Sequence, residues 1–144
     1  MRGISLSEKV HNRMQSIAVI ADDLTGAADT GVQFYPYFDR TVLISYLQLS
    51  RKMEASSQLL SQATALYTDS RALNANAAGR RLTEVARQIS QSGSTLLYKK
   101  IDSCLRGNLG AEVEVLMDEL DYEVSFIAPA FPEMGRTTLA PIQA

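Results

Sequence analysis

A single cysteine, a single histidine and no tryptophan occur in these 144 residues. One thiol rules out an internal disulfide, and one histidine beside one cysteine supplies no zinc-ligand spacing. No apolar run approaches the roughly 18 residues of a membrane span, so no membrane partner is expected. Residues 1–16 lack the apolar segment and cleavage site of a secretory leader, which makes a cytoplasmic setting the expectation. That stretch, with His11 in it, reads as a flexible, solvated extension. Charge of neither sign dominates: 14 basic side chains stand against 16 acidic ones, leaving no basic footprint for nucleic acid. Also missing are Gly-x-x-x-x-Gly-Lys-[Ser/Thr], Gly-x-Gly-x-x-Gly and Gly-x-Ser-x-Gly, so there is no recognisable nucleotide cradle or esterase elbow.

What is present is a core and a pattern of acids. Hydrophobic residues make up 46% of the chain, and a domain of this length buries about 68–70% of the surface its unfolded chain exposes. The apolar run Ile17-Ala18-Val19-Ile20 reads as a buried parallel strand and feeds directly into Ala21-Asp22-Asp23-Leu24-Thr25-Gly26. Further strands are predicted over 40–45, 65–67, 95–98 and 124–128. Helices are predicted from Thr25 or Asp23 as cap to about Phe34, loosely over 46–62, over 77–92 with Asn74 or Asn76 as cap and Gly93 as stop, and after Asn108. In the last, Leu109, Val113, Leu116 and Leu120 form the apolar stripe while Glu112, Glu114, Asp118 and Glu119 take the other faces. Residues 137–144 read as neither helix nor strand. Alternating strands and helices predict an α/β fold, a three-layer sandwich with a mostly parallel sheet and helices on both faces.

Ligands bind such sheets outside the carboxyl ends of the strands, and that is where the polar loops fall. Adjacent carboxylates there can hold Mg²⁺, accept a proton from a hydroxyl or hydrogen-bond a polyol; the plain alternative is that Asp22 or Asp23 caps the next helix. In the stretch 100–108, Lys100 and Arg106 offer cationic donors and Asp102 and Ser103 polar partners. Gly107 lets backbone approach a ligand before a helix amino end that favours anions, which suits a carboxylate or phosphate. Asp69 and Arg71 add another loop, as a ligand contact or a local ion pair. Residues 129–136, with two prolines and Gly135, make a stiff turn that is either a connection or a ligand wall. Cys104 beside the basic loop is expected to be a small buried filler.

At these loops the sequence resembles the four-carbon acid sugar kinase family, specifically its sugar-binding amino-terminal domain. The matching pieces are Ile20-Ala21-Asp22-Asp23-Leu24-Thr25-Gly26-Ala27, Thr68-Asp69-Ser70-Arg71-Ala72, Lys100-Ile101-Asp102-Ser103 with Leu105-Arg106-Gly107-Asn108, and Pro129-Ala130-Phe131-Pro132 through Gly135-Arg136. The resemblance implies an enzyme of two domains that phosphorylates a hydroxyl of threonate, erythronate or a related acid with ATP. It implies substrate contacts at Asp22, Asp23, Arg71, Lys100, Ile101, Asp102, Ser103 and Arg106, with Asp22 or Asp23 orienting or deprotonating the hydroxyl.

Cys104 departs from the family by standing where a hydroxyl residue is expected. Residues 17–144 are then the acid-binding domain, cut short at the carboxyl end, with the nucleotide-binding domain absent. ATP and Mg²⁺ would be held only with that missing domain, and the chain alone would be inactive. A small sugar acid and the ATP-binding domain are the expected partners, together with self-association into a homo-oligomer. Two other readings stay open: a stand-alone, non-catalytic sugar-acid-binding module, and a receiver-like, Mg²⁺-dependent phosphoacceptor built on the acid pair and Asp69.

Overall fold

The computed structural model describes residues 16–51, 62–92, 96–139 and 142–143. Its elements run β1 (Ile17–Ala21), α1 (Leu24–Val32), a 3-10 turn (Tyr35–Tyr37), β2 (Thr41–Ser45), α2 (Tyr46–Arg51), β3 (Ala63–Tyr67), α3 (Ala75–Ser92), β4 (Leu96–Lys100), α4 (Leu109–Leu120) and a second 3-10 turn (Pro132–Met134). Two short strands, β5 (Thr138–Leu139) and β6 (Ile142–Gln143), pair antiparallel, where the sequence reading expected neither helix nor strand. The main sheet is parallel in the order β2-β3-β1-β4. Expectations for residues 1–15, 52–61 and 93–95, the extension, the end of the loose helix and the Gly93 stop among them, lie outside the described residues.

β1 is buried along its whole length, which is why it reads as an unbroken apolar run. Its side chains alternate between two cores. Ala18 and Ile20 pack with Leu66, Leu82, Val85 and Leu116 beneath α3 and α4, while Ile17, Val19 and Ala21 pack with Ala27, Ala63 and Ala65 beneath α1. Helices therefore cover both faces, as expected for three layers. The caps follow the sequence as well: Asp23 Oδ1 accepts from the Gly26 amide at 2.8 Å, and Asn74 Oδ1 from the Ala77 amide at 2.9 Å.

One strand is a correction. Residues 124–128 join no ladder, and Phe126 is 94% exposed. They run beside β4, separated from it by an apolar cavity of about 460 Å³ lined by Leu97, Tyr98, Leu116, Met117, Phe126 and Ile127. An apolar run becomes a strand only where a neighbour's backbone lies in register, and residues 124–128 form no such register with the β4 edge. The stretch 129–136 accordingly does not leave a strand of the sheet. It closes on itself instead, with Phe131 and Arg136 exchanging backbone hydrogen bonds of 2.9 and 3.1 Å.

Candidate functional site

β3, β1 and β4 are neighbours in the sheet, so the loops after them emerge side by side. Asp22 and Asp23 follow β1, Arg71 follows β3, and Lys100 ends β4. The Ser70 and Arg71 amides both donate to the Asp22 carbonyl, at 3.0 and 3.4 Å, which joins the first two loops through backbone. Arg71 then bridges the acid pair. Its Nε and Nη2 donate to Asp22 Oδ2 and Oδ1, each at 2.8 Å, and its Nη1 donates to Asp23 Oδ2 at 2.7 Å. The Asp22 carboxylate raises the Arg71 pKa above its ordinary value, assisted by Asp23. Asp69, by contrast, makes no ion pair with Arg71 among the described residues; it occupies a left-handed turn with φ 50°.

The loop after β4 is organised by its own acid. Asp102 Oδ2 accepts from the amides of Cys104 and Arg106 at 3.1 and 3.2 Å, and the Arg106 guanidinium reaches both carboxylate oxygens at 2.8 Å. The bond from the Arg106 side chain is the chief reason that the Asp102 carboxyl lies well below the usual carboxylate range, with the two amides adding to it. Cys104 is exposed in this turn, which corrects the expectation of a buried filler. Its amide serves the loop, and that places its side chain outward. Arg136 Nη1 donates to Ser103 Oγ at 2.8 Å, bringing the stretch 129–136 against the same loop.

A cavity of about 700 Å³ opens among these groups, lined by Asp23, Arg71, residues 100–103 and Arg106, with Ala128 to Phe131 on its far wall. Asp22 is the predicted site residue that does not line it: 4% exposed, it lies behind Arg71. Lys100 Nζ donates to the Ile101 carbonyl at 2.5 Å and forms no ion pair among the described residues. Gly26 makes room for it, since a Cβ there would sit 2.7 Å from Asp23 Oδ1 and 3.3 Å from the Lys100 stem. The described residues hold no group of three metal-ligating side chains. Both acids already receive Arg71, so each of the carboxylates that could face a cation is engaged by a guanidinium in this arrangement.

Beneath the site lies a polar cluster that the sequence reading missed: Thr68, Ser70 and Glu112 are buried, and Lys99 pairs with Glu112 at 2.7 Å. The apolar stripe predicted for this helix puts Glu112 on a polar face. It lies three residues after Leu109 and four before Leu116, on the apolar stripe itself, and that spacing was the available signal.

A three-layer α/β domain with polar loops converging at the carboxyl ends of three adjacent parallel strands has, as a class, the architecture in which open α/β sheets bind small molecules. The comparisons with known proteins narrow the class. A family model described as "Sugar-binding N-terminal domain" matches residues 17–143, and the chain belongs to that family. It is 41% identical over 122 residues to the D-threonate kinase of Salmonella typhimurium, covering 84% of this chain and 27% of the kinase. It is 38% identical over 128 residues to the D-erythronate kinase of Heliobacterium modesticaldum, covering 88% of this chain and 28% of that kinase. Among solved structures, a DUF1537 domain from Bordetella bronchiseptica, a domain-swapped dimer with bound citrate, superimposes with a TM-score of 0.78 at 30% identity, covering 91% of this chain and 33% of that one. The chain thus spans about a quarter of the length of these curated kinases. Membership in this family leaves no support for the phosphoacceptor alternative. No helix among the described residues is long and apolar enough to cross a membrane.

Proposed function

We propose that this chain is the acid-binding part of an ATP-dependent kinase of the threonate and erythronate type, and that the cavity between Asp23 and Lys100 receives the sugar acid. The deciding observation is the state of Lys100: it lines the same cavity as Asp23, with no acidic partner of its own among the described residues. A sugar acid brings one carboxylate and several hydroxyls. Lys100, Ser103 and Arg106 receive the carboxylate, Ile101 and Asp102 shape that wall, and Asp23 and Arg71 meet the hydroxyls. Asp22 acts from behind by holding Arg71 in place.

In the complete enzyme, Asp23 orients the acceptor hydroxyl or takes its proton, positioning and charge doing most of the work. The nucleotide and Mg²⁺ are assigned to the part of the kinase outside this chain. The kinase names of the relatives support this reading, as does a solved relative holding citrate, itself a hydroxy acid. Apolar side chains such as Val124 and Phe126, 80% and 94% exposed, fit self-association, as in the domain-swapped relative.

Calorimetric titration of the chain with D-threonate, D-erythronate and ATP tests the assignment. The expected result is binding of an acid that Lys100→Met weakens at least about tenfold. Tight ATP binding with no acid binding would refute it.

A further inference from the structure

We propose that Glu112 is a positioning residue, acting through Ser70 to hold Arg71 on the Asp22–Asp23 pair. Glu112 stands in the first turn of α4 and is 1% exposed. A buried carboxylate is costly unless it is paired and hydrogen-bonded, and an apolar residue of similar size often serves a core as well or better. Here both oxygens are committed. Oε2 receives Lys99 Nζ at 2.7 Å, and Oε1 receives the Ser70 hydroxyl at 2.5 Å.

The direction of these bonds follows from the chemistry. A carboxylate only accepts, so the one proton of Ser70 goes to Glu112, and the 2.7 Å contact between the Ser70 and Thr68 hydroxyls is donated by Thr68. The Thr68 amide donates to the Ala21 carbonyl at 2.9 Å, at the end of β1. One buried acid therefore ties together α4, the end of β4, the turn after β3 and the end of β1.

The turn it holds is the one that aims Arg71. Asp69, at φ 50°, separates the two anchored hydroxyl residues, and Arg71 follows directly. Asn108 fastens the far side of the same turn, donating to the carbonyls of Ser70 and Leu73 at 3.0 and 2.9 Å. Lys99 and Lys100 point to opposite faces of β4, so one lysine braces the turn from below while the other lines the cavity.

The effect on ligand affinity rests on the sugar-acid reading of the cavity; the effect on Arg71 does not. In ¹⁵N NMR of the chain, solvent exchange of the Arg71 Nε proton reports the grip of Asp22 directly. Ser70→Ala removes the hydroxyl and leaves the Lys99–Glu112 pair, and is expected to speed that exchange at least about tenfold and to weaken acid binding by a similar factor. Glu112→Gln, which keeps an acceptor for Ser70, gives a smaller change in the same direction and serves as the second variant if Ser70→Ala folds poorly. Val85→Ala, a cavity in the helical core, lowers the melting temperature with both readouts unchanged. Exchange unaltered in Ser70→Ala and Glu112→Gln, or raised equally in Val85→Ala, would overturn the proposal. Wild-type chain that binds no sugar acid refutes the reading of the cavity instead, and the exchange rates still decide the role of Glu112.

Discussion

Asp22 and Arg71, 49 positions apart in sequence, meet in a two-pronged pair with both contacts at 2.8 Å, and a third arm of the same guanidinium reaches Asp23. The pair is asymmetric. Asp22 spends both oxygens on Arg71, whereas Asp23 divides its own between Arg71 and the amino end of α1. Adjacent acids thereby acquire different tasks.

Arg71→Ala leaves the buried Asp22 carboxylate without its main partner. Stability should fall by about 2–3 kcal/mol in urea unfolding, and acid binding by at least about tenfold. Arg71→Lys keeps the charge and loses the fork, so it should restore only part of either quantity.

The two aspartates should separate on substitution by asparagine. Asp23→Asn keeps a capping oxygen and gives up a single, part-exposed contact to Arg71, so the melting temperature should fall less than in Asp22→Asn, while phosphorylation, measured in a longer kinase containing this domain, is abolished. Asp22→Asn puts an amide donor against a guanidinium and should lower both melting temperature and acid affinity. Equal loss of stability in the two variants would reject the division of labour.

Gly107 has φ +91°, and a Cβ there would lie 2.8 Å from Asp22 Oδ2. Gly107→Ala should cost about 1–3 kcal/mol from the backbone alone and displace the Asp22–Arg71 pair, lowering the melting temperature and acid affinity together.

Acid should expose the Asp102–Arg106 bond. Arg106 depresses the Asp102 pKa, so the contribution of the pair to stability is complete above the ordinary carboxylate value of about 3.9 and is lost as pH falls through the lower folded value. The stability difference between wild type and Arg106→Ala should therefore be flat above about pH 5 and shrink below about pH 4. It should also shrink in high salt, since Arg106 is exposed. In ¹³C NMR the Asp102 carboxyl should titrate at a higher pH in the variant.

The chain by itself should release no ADP above the blank from ATP, Mg²⁺ and a panel of threonate and erythronate isomers. Substrate-dependent ADP release would show that these residues suffice for the nucleotide as well.

Much of this was legible in residue order. The unbroken apolar run of β1, the acids directly after it, and the capping oxygens of Asp23 and Asn74 are local signals, readable because an apolar run and a cap three residues from the amide it receives are written in adjacent residues. The loop residues Lys100, Ser103 and Arg106 stood out for the same reason, as charge and glycine packed between a strand and a helix. Other matters depended on which elements lie side by side. That Arg71 pairs with Asp22 and not with Asp69 follows from β3 lying against β1. That residues 124–128 stay out of the sheet is a matter of pairing with the β4 edge, which no property of the run itself encodes. Glu112 is the sharpest case: its spacing puts it on the buried stripe, but only the convergence of Lys99 from β4 and Ser70 from the turn after β3 makes a buried carboxylate tolerable there. Local propensity selects the elements of this chain; the assignment of its charges is settled by long-range packing, because a charge is placed by its partners.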